Sequence, residues 1–186
     1  YRIERDNQLA ARFKCSTFLN PNNHKITNLK QAESRTFIFE TLEDCYMENF
    51  IFEDIIITSN EISTASIIYE AVGCIFINNR IKNFNVTTNN SENNYSSIIA
   101  PFVINSYGSG YINNKVFATI RQSGTPSEMD IYPYVAAGLV GKMTIGELYS
   151  APVCYNAIEG LIYTSGIEVG IIGLTDNSSN IFDKFN

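Results

Sequence analysis

Tyr111-Ile112-Asn113-Asn114-Lys115-Val116-Phe117-Ala118-Thr119-Ile120, followed after a polar interval by Val135-Ala136-Ala137-Gly138-Leu139-Val140-Gly141, reads as one coil of a repeating structure. An alternating strand with an Ile-Asn start leads through the loop Arg121 to Asp130 into a strand of small residues. Related pieces stand on both sides. Matching the Ile-Asn start places Asn28, Asn49, Asn78, Asn113 and Gly146 in one column, at intervals of 21, 29, 35 and 33 residues. A second column holds Ser66-Ile67-Ile68-Tyr69, Ser97-Ile98-Ile99-Ala100, Gly138-Leu139-Val140-Gly141 and Gly170-Ile171-Ile172-Gly173.

Two columns recurring in the same order predict stacked β-rich repeats. The elastic period selects a solenoid over a propeller, because propeller blades must close a ring whereas a solenoid coil carries extra residues outward. The polar stretches Thr87 to Tyr95 and Arg121 to Asp130 have the composition of such insertions. The expected fold is all-β, a parallel β-helix (β-solenoid) of about five or six coils. Residues 24–174 form the solenoid and residues 175–186 a C-terminal tail or linker. Residues 1–23 make a short N-terminal cap, with Asp6 to Phe13 as a brief helix capped by Asp6 and with Phe13, Phe18 and Leu19 over the first coil.

Composition agrees with this reading. The 186 residues include 26 Ile and 22 Asn, one His and no Trp. β-Branched Ile suits a pleated, buried surface, while Asn tolerates left-handed backbone at corners and can stack into amide ladders. A formal charge of -6 with scattered Lys and Arg argues against nucleic acid, which requires clustered cations. Nothing approaches 18 consecutive apolar residues, so no membrane insertion is expected of this segment. Tyr1 rather than Met at the start suggests a processed protein or a piece of a longer one.

Gly138-Leu139-Val140-Gly141 resembles the Gly-Leu-hydrophobic-Gly signature of GLUG-motif repeats, and Gly170-Ile171-Ile172-Gly173 nearly does. Asn23-His24-Lys25-Ile26-Thr27-Asn28-Leu29 followed by Phe37-Ile38-Phe39 resembles the opening coil that often precedes them. The resemblance covers roughly residues 22 to 174. It implies a right-handed parallel β-helix of large microbial surface or secreted proteins, and no catalytic residues.

Chemistry-bearing residues are few. Cys15, Cys45 and Cys74 recur at about one coil, which predicts a buried thiol stack over a disulfide, since in-register neighbours point the same way. Glu40, Glu43, Asp44, Glu48, Glu53 and Asp54 are concentrated, but acidic residues on alternating strands usually form a solvated face. Arg80 and Lys115 share a column position and, with Lys82 or Arg121, make a basic step on one face; no carboxylate set of metal-ligand spacing accompanies them. Tyr107, Tyr111, Tyr132 and Tyr134 are candidate carbohydrate contacts if exposed, although core packing is the commoner fate of such residues. Asn85, Asn89, Asn94 and Asn177 begin Asn-X-Ser/Thr sequons and are candidate glycosylation sites. His24 sits at an ordinary surface corner. No catalytic residue, cofactor or metal is expected.

These features predict a non-enzymatic structural or adhesive module of a cell-surface, secreted or virion protein, a rigid spacer with a binding surface. Expected partners are other protein chains or surface glycans, or further copies stacked end to end as a homo-oligomer or filament. The alternative is a carbohydrate-active β-helix enzyme, a polysaccharide lyase or tailspike-type depolymerase. A carboxylate pair or an Arg/Lys-carboxylate groove on adjacent coils would favour it.

Overall fold

The computed structural model describes residues 11–31, 35–59, 62–90, 97–124, 134–144 and 152–176. Strand follows strand in a four-sided coil. The first coil comprises β1 (Ala11–Lys14), β2 (Thr17–Leu19), β3 (Lys25–Thr27), β4 (Lys30–Gln31) and β5 (Arg35–Thr36). The second has β6 (Phe39–Glu43), β7 (Tyr46–Glu48), β8 (Ile51–Ser59) and β9 (Thr64–Ala65). The third has β10 (Ile68–Val72), β11 (Ile75–Ile77), β12 (Arg80–Asn90) and β13 (Ile98–Ile99). The fourth has β14 (Val103–Tyr107), β15 (Gly110–Ile112), β16 (Lys115–Gly124) and β17 (Val135–Ala137). The fifth has β18 (Val140–Thr144), β19 (Val153–Cys154), β20 (Ala157–Thr164) and β21 (Ile167–Val169), and β22 (Ile172–Asp176) opens the next.

Corresponding strands pair in parallel into four sheets, ordered β1-β6-β10-β14-β18-β22, β2-β7-β11-β15-β19, β3-β8-β12-β16-β20 and β5-β9-β13-β17-β21. We refer to these as sheets A to D. No helix occurs among the described residues. This is the expected parallel β-solenoid.

The interior is apolar and tightly filled. Leu42, Met47, Phe52, Ile55, Ile57, Phe76, Phe84, Phe102 and Leu139 are fully buried, and burying one such side chain stabilises the fold by about 1.5–3 kcal/mol. Phe76 stacks on Tyr111 with ring centroids 5.2 Å apart and meets Phe102 edge-on at 5.0 Å.

The corners explain the use of Asn and the elastic period. Between sheets B and C, Asn49, Asn78, Asn113 and Tyr155 hold left-handed backbone, with φ of 63°, 56°, 53° and 58°. The residue after each turns inward. There Asn79, Asn114 and Asn156 form a ladder: Asn114 Oδ1 accepts the Asn79 backbone N–H at 3.0 Å, and Asn156 Oδ1 accepts that of Asn114 at 2.9 Å. Their side-chain amides donate to the carbonyls of Met47, Phe76 and Tyr111. In four coils this corner takes three residues from the last paired position of sheet B to the first of sheet C (48 to 51, 77 to 80, 112 to 115, 154 to 157). The corner between sheets C and D is elastic instead. From the register-matched Ser59, Thr88 and Gln122 to Thr64, Ile98 and Val135 the chain spends 5, 10 and 13 residues.

Register revises several expectations. Leu19 pairs with Glu48, so Asn20 stands beside Asn49 and Asn28 does not. Asn28 belongs to a second left-handed column with Asp54 and Asn83, a β-bulge within sheet C. Ile112 pairs with Cys154, so the fifth coil is reached 42 residues on rather than 33; Gly146 lies outside the described residues. Ser97-Ile98-Ile99-Ala100 lies beside Thr64 and Ala65 in sheet D, and Pro101 to Ile104 fills the expected place in the second column, as Val103 pairs with Ile68 and Val140. The Gly138 and Gly170 pieces do align, Val140 against Ile172. Ala11 to Lys14 is a strand paired with β6, so the expected helix does not extend over these residues. Phe18 and Leu19 are likewise part of a coil in sheet B, where β2 pairs with β7; residues 1–10 lie outside the described set.

The thiol stack has two members. Cys45 and Cys74 align at the corner between sheets A and B, flanked in the column by Ser16 and Ser109. Each donates to the carbonyl two residues earlier: Ser16 to Lys14, Cys45 to Glu43, Cys74 to Val72 and Ser109 to Tyr107. Cys15 falls one residue earlier, in the left-handed column with Asp44, Gly73 and Gly108, and is exposed. All four cysteines are free. Burial pushes the Cys74 thiol up to about 12, and the thiolate is the reactive form. Native protein treated with a thiol reagent at pH 8 is therefore expected to label at Cys15 and to protect Cys45 and Cys74 until unfolded. Labelling of Cys74 at the Cys15 rate, read by peptide mass, would contradict this packing.

Candidate functional site

Sheet C has the longest strands, with β8, β12, β16 and β20 running nine, eleven, ten and eight residues. Period-two alternation drives Val116, Ala118 and Ile120 inward and leaves Lys115, Phe117 and Arg121 outside. β12 carries the bulge and β16 does not: Ile81 pairs with Val116 and Phe84 with Ala118, so Lys82 and Asn83 together face the single residue Phe117. Such bulges re-aim side chains and raise local twist.

The result is a shallow groove of about 270 Å3 floored by Ile81 and Val116 and edged by Arg80, Lys82, Lys115, Phe117, Ala157 and Glu159. Arg80 and Lys115 are register partners, as the sequence column predicts. Neither has an ion-pair partner among the described residues. Lys82 lies 3.8 Å from Glu53, which also binds Lys25 at 2.6 Å. Arg121 stands six residues beyond Lys115 on the same face of β16, opposite Thr87 and Tyr163.

The acidic residues of 40–54 are dispersed, and all but Asp44, at the corner between sheets A and B, are engaged. Glu40 accepts two bonds from Arg12, and this hydrogen bonding holds its carboxyl below the usual carboxylate range. Glu43 pairs with Lys14, Glu48 accepts the Tyr46 hydroxyl at 2.9 Å, and Asp54 accepts the Asn83 amide at 2.9 Å. Among the described residues no three His, Cys, Asp or Glu side chains are grouped to hold a metal.

Of the four candidate tyrosines, two are in the core. Tyr111 is fully buried, and its hydroxyl donates to Ser106 Oγ at 2.9 Å. Tyr134 is buried as well, Tyr107 is 38% exposed on sheet A, and Tyr132 lies outside the described residues. Neither buried ring offers a face to a sugar. The exposed aromatic beside the groove is Phe117, at 46%, which was legible from its outward place between Val116 and Ala118. Among the sequons, Asn85 is half-buried within β12, and Asn89 is exposed near that strand's end. Asn94 and Asn177 lie outside the described residues. The His24 backbone N–H donates to Asn20 Oδ1 in a surface turn.

No protein-family model matches the chain, and neither do the curated proteins or the solved structures to which it was compared.

Proposed function

We propose that this chain is a non-enzymatic structural and adhesive module, a stiff β-solenoid spacer of a cell-surface, secreted or virion protein, built in the manner of GLUG-type repeats. The observation that carries this reading is the regular stacking. Six parallel strands of sheet A advance over about 24 Å at about 4.8 Å per step, and the four inner ones are bonded to the coils above and below. A backbone so paired resists bending and presents repeated outward columns for partners. The carboxylates concentrated at 40–54 are spread over different sheets and mostly tied to cations or amides. Among the described residues Glu159 is the one that stands at the basic groove, so the cleavage assay is the deciding test between the two readings.

Beads coated with the protein are expected to retain surface glycans or protein partners while leaving their chain lengths unchanged. Light scattering and electron microscopy of the same sample read whether further copies add end to end. Release of new reducing or unsaturated saccharide ends during incubation would overturn the non-enzymatic reading.

A further inference from the structure

Arg80 and Lys115 sit directly opposite one another across parallel strands, about 4.8 Å apart at the backbone. Like charges so placed destabilise a sheet, and neither cation forms an ion pair with a carboxylate among the described residues, Glu159 at the groove's edge included. The fold does not require cations here, because Ile51 and Ala157 occupy the same register position in the neighbouring coils. Both residues follow directly on the ladder asparagines Asn79 and Asn114, so their backbones are held by the interlocked corner of the coil. Phe117, exposed and facing the bulge on β12, stands beside them, with Glu159 as its register partner on the next strand.

We propose that this groove binds an acidic saccharide, a sugar unit bearing a carboxylate or sulfate; the inference rests on reading the module as a binding spacer and names its ligand class and site. An exposed phenyl ring takes the C–H face of a pyranose. The Arg80 guanidinium presents a fork that matches a carboxylate or sulfate bidentately, and the Lys115 ammonium adds a second cation. Glu159 accepts hydrogen bonds from sugar hydroxyls, and it repels a polyanion that lacks them. At about 270 Å3 the groove is smaller than the roughly 300–1,000 Å3 pockets that enclose a drug-sized ligand. It therefore holds one unit of a chain whose remainder runs along the open face of sheet C.

Calorimetric titration tests this with oligogalacturonate, dextran sulfate, methyl-esterified oligogalacturonate and inorganic phosphate as probes. At least one acidic saccharide is expected to bind, more weakly as salt rises, with the methyl ester about tenfold weaker or more than the acid. Arg80→Gln with Lys115→Gln should weaken binding about tenfold or more, and Phe117→Ala about fivefold. Lys25→Gln, in the same column on β3, should leave it unchanged. Circular dichroism confirms that the variants, all at exposed positions, remain folded. The site is overturned if neither acidic saccharide binds, if binding survives the double substitution, or if phosphate competes as well as the saccharide. Saccharide held equally by wild type and double variant removes this site and leaves the adhesive reading standing. Cleavage of the bound oligomer removes the non-enzymatic reading and leaves the site.

Discussion

Asn114→Ala is expected to cost about 2–5 kcal/mol of stability and to lower the melting temperature by about 10 °C, at roughly 2–4 °C per kcal/mol for a chain of this size. Asn114 is 1% exposed. Its Oδ1 accepts the backbone N–H of Asn79 and a side-chain N–H of the same residue, and its Nδ2 donates to the Phe76 carbonyl and to Asn156 Oδ1. Truncation strands the Asn79 amide and the Phe76 carbonyl in the interior, each a loss of about 1–3 kcal/mol. Asn113, one residue earlier, supplies the contrast. Its side chain lies on the surface, donating to Asn78 Oδ1, and its backbone is left-handed at φ 53°. Asn113→Gly keeps that conformation without strain and should change stability by less than about 0.5 kcal/mol. Urea unfolding of the two variants decides the matter; equal effects would mean that the inward ladder carries no special weight.

Gly138→Ala is expected to destabilise by about 3 kcal/mol, while Gly170→Ala in the same column should be nearly silent. A Cβ at Gly138 would lie 2.1 Å from the Gly170 carbonyl oxygen and 2.7 Å from the Ile158 side chain, so adjacent coils would have to part. At Gly170 a Cβ meets nothing within 4 Å. The glycine of the Gly-Leu-Val-Gly piece is thus demanded by close stacking on the next coil. Matching melting curves for the two variants would sink this explanation.

The architecture was legible because inward Ile and corner Asn recur once per coil, and Gly138 to Gly141 found Gly170 to Gly173 correctly. Exact register was less legible for a physical reason. Ile lines both sheet A and sheet D, so Ser97-Ile98-Ile99 resembles Ser66-Ile67-Ile68 while belonging one side earlier in the coil. Asparagine serves at three kinds of place, the outer corner at Asn113, the inner ladder at Asn114 and the bulge at Asn83. Residue type alone does not tell these apart, which is how Asn28 entered the wrong column. The basic step at Arg80 and Lys115 was readable from spacing, since the ladder corner takes three residues in both of their coils. The tyrosines were not, because nothing local to Tyr111 reveals that Ser106 receives its hydroxyl from inside the core.

The division of labour between corners also bears on how such a chain can change over generations. Where sheet B meets sheet C, the turn is interlocked from one storey to the next, and a gain or loss of one residue there would break the amide ladder on both sides. Where sheet C meets sheet D, neighbouring storeys already differ by five residues and then three in the length of their connection. Heritable novelty can therefore accumulate along one edge of the column, in length as well as in composition, while the opposite edge keeps count. Loop length and architecture are thus free to drift at separate rates within a single chain, while the groove at Arg80 and Lys115 stays with the edge that keeps count.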